Sequence, residues 1–345
     1  MDTVLNDEWL GDSERIPMID EGSVSLLRER VRSEGDKLRL PAVVTASLVN
    51  VASELGHNQL AHAHFGEIAL RVVEREGILG IEILAADGGD GILDPTEALH
   101  VTPRSVPERI DPKASLGIGL PAVVELADEV DFDIRVGEGT CIWARKFAKS
   151  VRRRRQIGLY GRPFPGERVS GDHGGFVRVG DALLVGLADG IGHGPEAREA
   201  SAAAIATLRA RSALPPEKIL DACHEALAET RGVVMAVVRV PEPGGAAVAS
   251  IVGNIDVHIY GLAEGRRLAG PSFVLGAPGT RRRTVREEHP LGPRDVLVLF
   301  SDGLSSRTDL EGELDLLREH PIVIAHQLAQ RFGRQNDDVL VLVAR

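Results

Sequence analysis

The chain has 345 residues, which is room for about two domains of ordinary size. A net charge of −11 excludes the basic face of a general nucleic-acid binder. Two distant cysteines, Cys141 and Cys223, exclude a disulfide framework and fit a reducing cytoplasm.

In chain order, residues 1–13 are polar and acidic and read as a flexible tail. The opening MDTVLNDEWLGDSER has neither the basic nor the apolar segment of a secretory signal. No run of about 18 apolar residues follows anywhere, so no membrane span is expected. A helix is predicted over 41–64, where Ala, Val and Leu recur three and four apart. Strands are predicted over 66–74 and 79–87, both rich in Ile, Leu and Val. A long Gly/Pro-containing segment covers 88–115, and a second helix 116–129. Residues 132–136 and 140–147 read as a hairpin around Gly137–Gly139. This patterned region ends at the basic run KFAKSVRRRRQ. Within it, 149–156 reads as a linker, and its four consecutive arginines are expected to be exposed.

Beyond the linker, strands are predicted over 175–179, 183–188, 233–240, 246–252, 296–300 and 339–343. Two Ala-rich helices, 195–211 and 216–230, each open on proline at the first helical position. Helices grouped between paired strands indicate an α+β layout in both halves, 14–148 and 157–345.

Three features of the first half fall in order. Glu54 and Asn58 are four apart on the first helix and share a face. A carboxylate there can orient or deprotonate a hydroxyl, and an amide oxygen can ligate Mg²⁺. Asp87, Gly89 and Gly91 form Asp-Gly-Gly-Asp-Gly at a strand end, where the carboxylate can accept from an adenine amino group. Gly117 and Gly119 then open a helix, whose N–H groups favour phosphate. In order and spacing these residues resemble the GHKL ATPase superfamily, and within it the bacterial anti-sigma-factor serine kinases and the stressosome switch kinase. The resemblance implies an N-terminal GHKL (Bergerat) α/β sandwich that binds ATP with Mg²⁺. Asn58 would hold the metal and Glu54 act as the catalytic acidic residue. Asp87, Gly89 and Gly91 would meet adenine, Gly117 and Gly119 the phosphates, and Gly139 and Thr140 would close the adenine site. Val124 and Glu125 depart from the basic pair usual in the switch kinases.

In the second half, Asp189 and Asp302 each follow an apolar strand and precede glycine. Asp172 sits in Ser-Gly-Asp-His-Gly, and Asp337 opens the last strand. Four aspartates brought to one spot would repel one another unless hard divalent cations lay between them. Two such ions could deprotonate a bridging water for attack on phosphorus. His193 stands between Gly192 and Gly194; it could act as a general acid, shape the turn or touch substrate. His62 and His64 are two apart on a helix and read as structural or surface residues.

ADGIGHGPEA, GNIDVHIYG and FSDGL together resemble the PPM superfamily of metal-dependent (type 2C) protein phosphatases. The closest branch is that typified by the sporulation stage II E phosphatase and the stressosome feedback phosphatase. The resemblance implies a PPM-type α-β-β-α sandwich with two Mn²⁺ or Mg²⁺ ions. Asp189 would bridge the ions, and Asp172, the Gly190 carbonyl, Asp302 and Asp337 would complete the shell, Asp337 being favoured over Asp338. Leu340 stands where a Thr often follows. The implied activity is serine/threonine phosphatase action on a phosphorylated regulator, a STAS-type anti-sigma antagonist or stressosome protein, with a serine kinase in front of it. The alternatives are a phosphatase whose ATP domain only senses nucleotide, and a non-catalytic sigma-pathway binding module. No nucleic-acid or membrane partner is expected, and the oligomeric state is left open.

Overall fold

In the computed structural model the described residues are 9–63, 65–100, 119–242, 244–261, 265–278, 284–305, 308–310 and 312–345. The chain divides into two compact units that meet at Gln156/Ile157.

The first unit contains β1 (Trp9–Pro17), α1 (Glu21–Lys37), α2 (Ala42–His62), β2 (Gly66–Arg75), β3 (Ile78–Asp87), α3 (Pro95–Leu99), α4 (Leu120–Leu126), β4 (Glu129–Arg135) and β5 (Gly139–Phe147). Its strands run β1-β2-β3-β5-β4, and every pairing among them is antiparallel. Helices α1 and α2 pack on each other, and α2 packs on β2, β3 and β5. Leu48, Val51, Ala52 and Leu55 supply the inward stripe of α2. Asp20 caps α1 by accepting from the Ser23 N–H at 2.9 Å.

Two expectations for this half are corrected. The stretch read as a tail already forms β1 from Trp9, because its backbone pairs with the edge of β2, from Trp9↔Val73 to Pro17↔Glu67. Backbone pairing needs no apolar alternation, so the polar sequence hides the strand. The arginine run is also not wholly exposed, since Arg155 is buried and Arg154 half-buried. The segment lies against the sheet. Arg75 donates to the Arg152 carbonyl at 3.0 Å, the Arg154 N–H donates to Glu129 at 2.8 Å, and Gln156 donates to the Val130 carbonyl at 3.3 Å. The helix expected over 116–129 is shorter, because β4 starts at Glu129; residues 101–118 lie outside the described ones.

Across four strands of this sheet runs a row of alternating charge. Register sets Arg71 opposite Glu82, Glu82 opposite Arg145, and Arg145 opposite Glu129. All four are buried. Arg145 Nε donates to Glu82 at 2.7 Å and Nη1 to Asp131 at 2.8 Å. Arg75 grips Glu129 with two bonds, 2.6 and 2.9 Å long, and lies over the Phe147 ring. Paired and hydrogen-bonded on this scale, buried charge becomes tolerable.

The second unit contains β6 (Ile157–Arg162), β7 (Asp172–Val179), β8 (Ala182–Gly190), α5 (Pro195–Ala210), α6 (Pro216–Ala226), β9 (Val233–Pro241), β10 (Gly245–Val252), β11 (Asp256–Tyr260), β12 (Gly265–Leu268), β13 (Glu287–Leu291), β14 (Val296–Phe300), α7 (Pro321–Phe332) and β15 (Val339–Ala344). One run of strands is β6-β15-β14-β11-β12, the other β13-β10-β9-β8-β7. Helix α5 packs on β7, β8 and β9, and α6 on β9 and β10. Helix α7 packs on β6 and β15. The layers are therefore helix, sheet, sheet, helix, as expected for a PPM-type α-β-β-α sandwich. Ala200, Ala204, Ile205 and Leu208 of α5 meet Leu184, Met235 and Val237 in one apolar cluster. Small residues on α5 let it settle close to the sheet, which fits a chain with few aromatics. The second helix stops at Ala226, short of the predicted 230.

Candidate active site and nucleotide cavity

In the second unit, strand pairing begins the site. Asp172 opens β7, Asp189 nearly ends β8, and the two are cross-strand partners. Asp302 follows β14, and Asp337 directly precedes the β15 lead-in Asp338. Because β7 pairs antiparallel with β8 and β14 with β15, each pair of aspartates falls at one end of its two strands, held by rigid elements. Gly190 ends β8; a Cβ there would stand 2.1 Å from the Ala197 carbonyl oxygen, so only glycine lets α5 start so close.

The electrostatics show that these groups feel one another. Asp172 has its proton affinity raised first by burial and then by Asp338, Asp302 and Asp337, against a lowering hydrogen bond from Ser301. Asp189 is raised first by burial and then by Asp172 and Asp302. Asp337 is raised by burial and by Asp302. Asp172 Oδ2 is buried with no hydrogen-bond partner. A buried carboxylate oxygen left unpaired costs free energy unless a cation meets it. Among the described residues, no three acidic, His or Cys side chains already converge as a finished metal cage. The donor set is nonetheless all oxygen and suits a hard divalent ion.

Asp338 is engaged differently from Asp337. Its two oxygens accept from the Phe164 N–H at 2.7 Å and the Gly171 N–H at 3.0 Å. It ties down the loop that leads into β7. Asp337 spends one oxygen on the Asp338 N–H at 3.1 Å. Asn254, not singled out by sequence reasoning, donates to Asp302 at 2.8 Å. It lies inside the GNIDVHIYG segment, which carried the signal. His193 Nδ1 lies 3.0 Å from Glu167 Oε1, to which its protonated nitrogen would donate, and its ring stacks on Phe164 with centroids 4.6 Å apart.

A carboxyl whose proton affinity rises on folding stabilises the fold only while protonated. That share is complete below the ordinary carboxylate pKa of about 3.9 and is lost as pH rises toward the folded value. Asp172 and Asp189 are both of this kind. Stripping divalent cations with EDTA should therefore lower Tm more at pH 8 than at pH 5. Calorimetric scans at both pH values, with and without Mn²⁺, would check this; an equal loss at both would count against cation relief of these carboxylates.

In the first unit, a cavity of about 500 Å³ is lined by Asn58, His62, Asp87, Gly91, Gly119 and Thr140, with Leu55, Ile92, Leu120 and Ile142 as apolar wall. Five predicted residues thus share one cavity. Asp87 is part-buried, and its proton affinity is raised by burial. Its Oδ1 accepts from the Gly89 N–H at 2.9 Å and the Thr140 N–H at 3.3 Å, so the two glycine-rich turns are joined through it. Gly139 has φ +130°, and a Cβ on it would stand 2.1 Å from the Asp87 carbonyl oxygen. Glu54 is buried, and its Oε2 accepts from the Gly119 N–H at 3.1 Å. Gly117 and His64 lie outside the described residues. His62 is exposed at the cavity edge rather than structural.

Comparison with known proteins places both halves. The model of the family Stage II sporulation protein E (SpoIIE) matches residues 180–345. The serine/threonine-protein kinase RsbT of Bacillus subtilis (strain 168) is 29% identical over 140 residues, covering 41% of this chain and all of RsbT. A solved chain from the bacterial stressosome, a modular system adapted to control secondary messenger signalling, is 30% identical, with a TM-score of 0.53. It covers 56% of this chain and 100% of its own. RsbX in complex with magnesium shares the fold at 20% identity and a TM-score of 0.50, covering 56% of this chain and 96% of RsbX. Among the described residues no helix is long and apolar enough to cross a membrane.

Proposed function

Because its C-terminal half belongs to the SpoIIE-type PPM phosphatases, behind an RsbT-like region, we propose that this chain removes phosphate from a phosphorylated serine or threonine of a regulator protein. In this reading Asp172, Asp189, Asp302, Asp337 and the Gly190 carbonyl hold two divalent cations. Such ions supply an acidified water as nucleophile and neutralise phosphate charge. The observation that carries the reading is the buried, unpartnered Asp172 Oδ2 among carboxylates that raise one another's proton affinity.

The chain's own groups do the positioning. Pairing of β7 with β8 fixes Asp172 against Asp189. Asn254 orients Asp302. Asp338 fastens the loop before β7 through both of its oxygens, which supports Asp337 over it as the proposed ligand. Hydrolysis breaks the phosphorus–oxygen bond of the ester, and water supplies the oxygen for phosphate and the proton for the released hydroxyl. The proposed substrate class, a STAS-type or stressosome regulator, follows from the sequence resemblance and is in keeping with the stressosome relative. Pull-down with phosphosite mapping, with and without the Asp189→Asn change, would identify the phosphorylated partner; no enrichment of any phosphoprotein by the inactive form would remove this substrate class.

The first unit, in this proposal, binds ATP with Mg²⁺ through Asn58 and Asp87. Whether it passes phosphate on is a separate matter. Resemblance to RsbT supports a serine kinase of the same pathway. The engagement of Glu54 by the Gly119 N–H, with Val124 and Glu125 in place of a basic pair, favours a nucleotide sensor instead. Labelled ATP with candidate partners decides between them: transfer supports the kinase, and tight binding without transfer supports the sensor. Under either reading, Asp87→Ala removes a charged acceptor and the tie between two turns. It should weaken ATP binding about 10- to 100-fold, the equivalent of one charge-assisted hydrogen bond. Titration calorimetry would read it; an affinity within twofold of the parent would place ATP elsewhere.

A further inference from the structure

Resting on the phosphatase reading, we infer that Arg231 is the residue that receives the substrate's phosphate at the rim of the aspartate site. A phosphomonoester dianion must approach a cluster of carboxylates, and cations bound among them meet only part of its charge. A guanidinium on the rim would present a planar fork matched to phosphate oxygens.

The sheet register puts Arg231 at that rim. Asp189 pairs with Val234 and Gly190 with Val233. The pairing continues past the strand ends, since the Ile191 N–H donates to the Gly232 carbonyl at 3.1 Å. One further step sets Arg231 beside Gly192. Arg231 Nη1 lies 3.1 Å from where a Cβ on Gly192 would stand. Gly192, with φ +92°, thus leaves room for the guanidinium three residues beyond Asp189.

One other nearby cation is already engaged by backbone. Arg198 donates to the Ser170 carbonyl at 3.3 Å, behind the aspartates. Arg231 instead pairs with Glu196, in the first turn of α5, where both side chains are about half exposed or more, at 48% and 68%. A surface pair of this kind holds the fork in place at little cost and yields to a better anion. Glu196 is thus a placeholder for phosphate.

The test uses the Mn²⁺-loaded full chain, with p-nitrophenyl phosphate as substrate and inorganic phosphate as competing product. Arg231→Ala should raise KM and the phosphate inhibition constant about tenfold, with kcat within about twofold, and Arg231→Lys should recover part of the loss. Glu196→Gln should tighten phosphate binding by about threefold, by releasing the fork. Calorimetric titration of phosphate reads the same contrast without turnover. A parent protein that binds phosphate through Arg231 yet hydrolyses nothing would overturn the phosphatase reading and leave the phosphate site standing. Unchanged KM and phosphate affinity in Arg231→Ala, or a fall in kcat alone, would overturn the inference.

Discussion

Asp189→Asn should lower Mn²⁺-dependent phosphate release by about 10³-fold or more, while raising the thermal stability of the cation-free protein. The activity loss follows from the proposed role of Asp189 among the residues that would hold the cations. Asparagine keeps the shape of the side chain but removes the charge that would hold two cations together, a loss of several kcal/mol of transition-state stabilisation, each 1.36 kcal/mol being about tenfold. The stability gain follows from the electrostatics. Asp189 is driven toward its protonated form by burial and by Asp172 and Asp302, so at neutral pH the cation-free protein must take up a proton there to fold, which opposes folding. A neutral amide ends that opposition and relieves Asp172 opposite it. Phosphate release from a phosphorylated partner, together with melting in EDTA, measures both parts. Activity within tenfold of the parent would sink the ligand assignment. A lower melting temperature in EDTA would show that Asp189 holds the strands together rather than apart.

Arg145→Ala should destabilise the first unit by about 3–5 kcal/mol, the cost of leaving buried partners of an ion pair uncompensated. Burial alone would push the guanidinium toward deprotonation, but Glu82, Asp131 and Glu129 together outweigh it and favour the charged form. Removing it leaves the wholly buried Glu82 paired with Arg71 and takes from buried Asp131 the guanidinium it accepts from. That is a large share of the 5–15 kcal/mol usual for a domain. Both tryptophans, Trp9 and Trp143, lie in this unit, so tryptophan fluorescence during urea unfolding of the full chain reports on it alone. A change below about 1 kcal/mol, the scale of a surface pair, would mean the charges are solvated rather than structural.

The row around Arg145 shows where sequence reading stops. Arg71, Glu82, Glu129 and Arg145 stand in ordinary strand alternation and look like solvent-facing charge. Their complementarity appears only when the order β2-β3-β5-β4 sets each beside its opposite. Arg155 was hidden for the same reason, since its burial depends on the sheet it lies against. Helix α1 was missed because only Val24, Leu27, Val31 and Gly35 face inward among many charges. Strand β13, Glu287–Leu291, carries two glutamates and a proline at a sheet edge, where such residues are tolerated and apolar pattern is not needed. Strands with strong apolar runs were legible to within a residue or two, β14 and β15 among them. The Asp-Gly motifs were legible because glycine after a rigid strand is a local signal. Asn254, Glu167 and Arg231 were not, because their roles come from neighbours 48, 26 and 35 residues away.

Strand β15 lies between β6 and β14, in the interior of its sheet, and Asp337 leads into it. This fixes an order in time. While the protein is being synthesised, the first unit has all its strands long before β15 is made, and can fold as a unit ahead of it. The aspartate cluster lacks Asp337 until Val339–Ala344 slots between β6 and β14. On the proposed reading, a nascent chain would carry its nucleotide cavity before its cation site is complete, and a stalled or shortened product would keep the first without the second.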